Sequence, residues 1–168
     1  KDKAVFLATQ ARDNAPHYQH SHIGYNYRMS NITAGIGRGQ MEVLNNRVEA
    51  RRAMNQFYQE LFKNINGVTV FVEPSSDYFS NHWLSAITID PKVAGKTRED
   101  LRMALLEDDI ESRPLWKPMH MQPVFANSPY YGGTVSEQLF ENGLCLPSGS
   151  SLTENDRNRI ATVVNKLF

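Results

Sequence analysis

The chain has 168 residues, with 18 Lys+Arg against 18 Asp+Glu, so its formal net charge is zero. A hydrophobic share of 40% and an aromatic share of 10% supply the core of one ordinary domain and argue against disorder, while the balanced charge argues against bulk attraction to nucleic acid or an acidic membrane. A single cysteine, Cys145, excludes a disulfide framework and a Cys-rich zinc site, and no apolar run approaches the roughly 20 residues that a membrane span needs. With no signal peptide legible, a cytoplasmic setting is expected. The opening Lys1-Asp2-Lys3 lacks an initiator Met, which reads as a processed terminus or as a fragment.

Residues 1–30 read as irregular and are rich in His17, Tyr18, His20, His22, Tyr25 and Tyr27. Ser30 reads as an N-cap, and the proline-free stretch from Asn31 to about Asn64 predicts one long helix. Met41, Leu44 and Val48 share one face, whereas Met54, Phe57, Leu61 and Ile65 follow on a rotated one, which suggests two packing partners. The charge run Arg47, Glu49, Arg51 and Arg52 is expected to be a solvated, self-paired surface. Strands are predicted at Val68–Val72, Trp83–Ile89, Ile110 to about Trp116 and Leu144–Leu146. Helices are predicted from Thr97, from Val135 to Asn142, and from Thr153 to about Leu167. This order predicts an α/β fold in which a long connecting helix leads into a small sheet covered by helices.

Four constellations could carry chemistry. The cluster His17-x-x-His20-x-His22 could bind zinc, but it fits no standard ligand spacing, so histidines lining a polar pocket are the expected reading and no metal is assigned. Gly35, Gly37 and Gly39 fall inside the predicted helix with no strand before them, which favours close backbone packing over phosphate binding. The stretch Gly24 to Asn31 puts Asn26 and Arg28 just before a helix N-terminus. That is either an anion site or a capped structural turn. The segment Ser112 to His120 joins Arg113, Trp116, Lys117 and His120 between two prolines, and reads either as a loop for a phosphorylated ligand or as an edge strand and surface loop. No nucleophile set stands out, and Cys145 lies in a buried-looking strand where an inert thiol is expected.

The stretches His17-Tyr18-x-His20 with Ile23-Gly24-Tyr25-Asn26-Tyr27-Arg28-Met29-Ser30-Asn31-Ile32, Glu111 to Pro123, Gly143 to Gly149, and Leu152-Thr153-x-x-Asp156 together resemble the DegT/DnrJ/EryC1/StrS family. Its members are pyridoxal-phosphate-dependent nucleotide-sugar aminotransferases of the aspartate-aminotransferase fold, that is, fold type I. The resemblance covers nearly the whole chain and implies the C-terminal part of a cytoplasmic, homodimeric enzyme. It implies that residues 1–30 are an interface and active-site segment at the end of a large domain, that residues 31–65 are the connecting helix, and that residues 66–168 are the small C-terminal domain. The Schiff-base lysine, the carboxylate under the pyridine nitrogen and the stacking ring would lie upstream of Lys1. Asn26 would contact the cofactor phosphate of the other subunit. His20, Tyr25 and Arg28 would line the shared site, and Arg113, Trp116, Lys117 and His120 the sugar-nucleotide entrance. The RPLWKPMH form is most similar to the subgroup acting on UDP-linked 4-keto-6-deoxy amino sugars, with glutamate as amino donor. The chain alone would then be inactive. The alternative is a non-catalytic binding or assembly module that keeps the dimer surface.

Overall fold

Helix α1 (Asp2–Ala8) opens the chain in the computed structural model, which describes residues 1–168. It corrects the expectation of an irregular first thirty residues. Seven residues are too few for a periodic signal, and a helix so short is marginal alone. Backbone pairing supports its end: Tyr25 N–H donates to Leu7 (2.8 Å), Tyr27 N–H to Ala8 (3.1 Å) and Gln10 N–H to Tyr25 (3.0 Å). Ser30 caps α2 (Asn31–Glu42) by accepting from Thr33 N–H, as its sequence position implies.

The long helix is not continuous. Val43 leaves helical geometry (φ −112°, ψ 7°), and α3 (Leu44–Phe62) follows. A β-branched residue sits there just before Asn45 and Asn46, which favour helix ends over interiors. The chain divides into two compact units, Lys1–Leu44 and Asn45–Phe168. No residue of α2 is buried, and added methyl groups at Gly35, Gly37 and Gly39 would meet nothing within 4 Å. The close packing expected of these glycines therefore has no partner within the unit Lys1–Leu44.

The second unit is built on a four-stranded antiparallel sheet in the order β1-β2-β4-β3. Its strands are β1 (Val68–Val70), β2 (Ser85–Ile89), β3 (Arg113–Pro114) and β4 (Gly143–Leu146). Three predicted strands are longer than those formed, and Trp83 and Trp116 lie outside the ladder. Pro114 limits the third, because it has no N–H to give. Central strand β4 is buried throughout, and β2 alternates, with Ser85, Ile87 and Ile89 inward.

Helices α4 (Pro91–Ala94), α5 (Arg98–Glu107), α6 (Val135–Asn142) and α7 (Glu154–Leu167) complete the unit. Thr97 and Thr153 each form a complete reciprocal capping box, with Asp100 and Asp156. The core joins Met54, Tyr58 and Phe62 of α3, Leu101 and Leu105 of α5, and Ile160, Val163 and Val164 of α7 to Ile87, Ile89, Leu144 and Leu146 of the sheet. Each such side chain contributes roughly 1.5–3 kcal/mol on full burial. The rotated apolar stripe of α3 is thus the sheet-facing one. The earlier positions Met41 and Leu44 remain 68% and 45% exposed. No helix is long and apolar enough to cross a membrane.

Candidate functional site

In the first unit, the functional segment is fixed by backbone before side chains enter. Gln10 and Ala11 take positive φ (76° and 50°), folding the chain back after α1. Gly24 lies against that bend: a Cβ there would sit 2.2 Å from the Gln10 carbonyl carbon and 2.5 Å from the Ala11 nitrogen. His20 Nδ1 reaches the carbonyls of Gln10 (3.0 Å) and Ala11 (3.3 Å), which pins the imidazole to the same bend. Asn26 pairs with Thr9 in an antiparallel bridge. Its Oδ1 accepts from Arg28 N–H at 3.4 Å, which leaves the amide NH2 as a donor. Tyr25 stacks flat on Tyr27, with centroids 5.3 Å apart and planes within 3°. The structure thus brings His20, Tyr25, Asn26 and Arg28 onto one short, exposed segment.

The three clustered histidines do not converge. His17 meets Gln19 (3.2 Å), His20 meets the backbone, and His22 stands edge-on to Phe6 at 5.7 Å.

In the second unit, Arg113 and Trp116 line a cleft of about 500 Å³ at the end of β4, together with Trp83, Ser112, Cys145 and Pro147. Arg113 is held by Glu111 through Nε at 2.8 Å. Burial pushes the Cys145 thiol pKa up, which keeps it protonated and unreactive. Arg51 braces two walls by donating one guanidinium nitrogen to the carbonyls of Trp83 and Ser148. Ser148 Oγ accepts from Ser85 N–H at 2.7 Å, and Tyr58 donates to the Pro147 carbonyl at 2.8 Å. Arg51 and Arg52 therefore depart from the self-paired surface expected of their charge run. His120 faces elsewhere: it bonds Glu137 at 2.9 Å and stacks on Tyr130 at 3.7 Å. Lys117 is exposed, and it does not line the cleft.

A second bracket holds the loop that leads to Trp83. Glu73 accepts from Arg52 at 2.7 Å and from Ser80 N–H at 3.1 Å, and it meets the nine-tenths buried His82 at 3.2 Å. The Arg52 guanidinium, aided by backbone donors, holds the Glu73 pKa down at about 2. A lowered carboxyl pKa stabilises the fold fully above the ordinary value of 4.5, and that stabilisation disappears as pH falls toward about 2. Glu73→Gln should therefore lower the melting temperature near neutrality, with the gap to the parent closing as pH falls from 4.5 to about 2. Thermal melts across that range check this, and a gap constant with pH would contradict it.

Sequence reasoning missed Trp83, Arg51 and the Glu73–Arg52–His82 bracket. Trp83 was readable only as a strand residue, yet it is 61% exposed. The arginines meet backbone carbonyls far along the chain, a pairing that composition does not signal.

The DegT/DnrJ/EryC1/StrS aminotransferase family profile matches residues 1–165. The EpsN protein of Bacillus subtilis, classed as a pyridoxal phosphate-dependent aminotransferase, is 46% identical over 99% of this chain and 43% of its own length. A GDP-perosamine synthase of Escherichia coli O157:H7 is 33% identical over 90% of this chain and 40% of its own. Among solved structures, the aminotransferase TlmJ of Streptoalloteichus hindustanus shares the fold with a TM-score of 0.81 at 18% identity, over 99% of this chain and 44% of that one. The chain thus spans less than half the length of the relatives it matches.

Proposed function

Because the chain belongs to the DegT/DnrJ/EryC1/StrS aminotransferase family, we propose that it supplies the C-terminal part of a pyridoxal-phosphate-dependent enzyme that aminates a keto group on a nucleotide-linked sugar. Relatives named for GDP-, UDP- and dTDP-linked sugars support the substrate class. The proposed substrate is a UDP-linked 4-keto-6-deoxy amino sugar, with glutamate as donor, in a cytoplasmic homodimer.

The observation that carries this reading is the Asn26 segment. Its free amide donor, next to Arg28 and before a capped helix, is a donor set that fits a phosphate. Bound pyridoxal phosphate would supply the electron sink for moving the amino group. This chain's own residues would bind and orient. Asn26 would hold the cofactor phosphate across the subunit interface, with His20, Tyr25 and Arg28 around it. Arg113 and Trp116 would meet the sugar nucleotide in their cleft, and Lys117 and His120 would meet it outside that cleft. The Schiff-base lysine would be contributed upstream of Lys1, so the chain alone would be inactive. The exposed Ile32, Ile36 and Met41 of α2 would be covered by the rest of the dimer, which gives the glycines of that helix their packing role.

In the intact enzyme, Asn26→Ala should weaken pyridoxal phosphate retention by about 10- to 150-fold, the weight of one hydrogen bond to a charged group. Dialysis followed by cofactor absorbance measures this, with circular dichroism checking the fold. Unchanged retention would overturn the phosphate role.

A further inference from the structure

We propose that the Asn66-Gly67 turn is a site of spontaneous covalent modification, where Asn66 deamidates to isoaspartate and so loosens the junction of β1 with α4. The proposal stands apart from the function proposed above.

Asn-Gly occurs twice in the chain, at 66–67 and at 142–143. The chemistry open to both is the same. The glycine backbone nitrogen, once base has taken its proton, attacks the asparagine side-chain carbonyl carbon. The new C–N bond closes a cyclic imide, the bond to the side-chain nitrogen breaks, and ammonia leaves. Water then opens the imide at either carbonyl, giving isoaspartate or aspartate. Glycine favours closure because no Cβ shields its nitrogen and its backbone turns freely. Local structure decides which pair can reach that geometry.

At Asn66 the way is open. The residue is exposed, in the turn that joins α3 to β1. Gly67 takes φ 83°, as the third position of a type II turn requires. Val68 N–H closes the turn on the Ile65 carbonyl through a long bond of 3.4 Å, and the Gly67 N–H donates to no backbone group. The attacking nitrogen therefore has no backbone acceptor to leave. At Asn142 the way is shut. Asn142 is the half-buried last residue of α6, and Gly143 is buried in central strand β4. Closure there needs the peptide between them to rotate, which would break the pairing of Gly143 with Thr88 and of Leu144 with Ile87.

Isoaspartate routes the main chain through the old side chain and adds a backbone carbon ahead of Gly67. The junction has no slack for it. A Cβ on Gly67 would lie 2.6 Å from the Ala94 nitrogen of α4, and the Gly67 carbonyl accepts from Asp90 N–H at 2.7 Å. The isoaspartyl form should lose that bond and unfold at lower urea than its parent. Asn66→Asp, whose main chain is unchanged, should not.

The test is to hold the full-length protein in warm, mildly alkaline buffer, then digest it and map the peptides by mass spectrometry. The Asn66 peptide should gain the mass difference between NH and O. Its isoaspartyl product should accept a methyl group from S-adenosylmethionine, with a protein-isoaspartate methyltransferase as the probe. The Asn142 peptide should stay unchanged in the folded protein. In urea both should convert, because only the fold separates them. Asn66→Gln should abolish methylation of this peptide. An unchanged Asn66 peptide in the folded protein overturns the proposal, as does equal conversion of both pairs there. A separated isoaspartyl form with the urea midpoint of its parent overturns the loosening of the junction.

Discussion

Gly24→Ala is expected to dismantle the bend that carries Asn26. The added methyl would lie 2.2 Å from the Gln10 carbonyl carbon and 2.5 Å from the Ala11 nitrogen and the Gln10 oxygen. All three are backbone atoms, so no side chain can rotate away. Gln10 and Ala11 already hold positive φ, which non-glycine residues adopt at some cost. Relief therefore requires breaking the pairing of residues 7–10 with 25–27 that supports α1. A loss of about 3 kcal/mol or more is expected, at the upper end for a single substitution. Amide exchange at Gln10, Tyr25 and Tyr27 should lose protection, with β2 and β4 as the internal reference. Retained protection at those three amides would contradict the account. In the intact enzyme this variant should lose the cofactor more completely than Asn26→Ala, because the whole segment moves rather than one amide.

The second large effect is expected at Gly143. This residue ends α6 and begins the central strand β4, opposite Thr88 of β2. A Cβ there would meet Leu115 Cδ1 at 2.2 Å and the Leu139 carbonyl oxygen at 2.3 Å. Leu115 Cδ1 ends a flexible side chain and can turn away, so the obstacle that remains is the Leu139 carbonyl, which is backbone. Leu139 belongs to a helix and cannot yield alone. Gly143→Ala should destabilise the second unit by about 3 kcal/mol or more, as backbone overpacking does. It should also change the emission of Trp116, the residue after Leu115. Denaturant unfolding and the native emission spectrum read both effects, and a variant matching its parent in both would refute the close approach.

What the sequence made legible was local. The caps at Ser30, Thr97 and Thr153 need only a hydroxyl and the backbone three residues on, and all three form. The apolar faces of α5 and α7 and the strand around Cys145 follow from short periodic patterns that the core uses directly. The misses lie where distant chain decides. Helix α1 depends on residues 25–27, which no window over residues 2–8 contains. The break at Val43 falls inside the first apolar stripe, between Met41 and Leu44 and ahead of the change of face after Val48, so the stripe carried no signal for it.

The candidate site divides the same way. Asn26, Arg28, Arg113 and Trp116 became candidates because family motifs mark them. His120 was legible as a residue, but its turn toward Glu137 and Tyr130 was not, since both partners lie farther along the chain. Trp83 carries no motif signal, and its relation to Trp116 exists only once the sheet brings β2 and β3 to either side of β4.

Transfer of nitrogen tests the central claim most directly. The intact enzyme, loaded with pyridoxal phosphate, is incubated with 15N-glutamate and a UDP-linked 4-keto-6-deoxy amino sugar, and the sugar nucleotide is weighed by mass spectrometry. The account predicts a product in which a 15N amino group has replaced the keto oxygen. Recovery of the unlabelled keto sugar, from enzyme shown to hold its cofactor and with GDP- and dTDP-linked keto sugars equally unchanged, would contradict it.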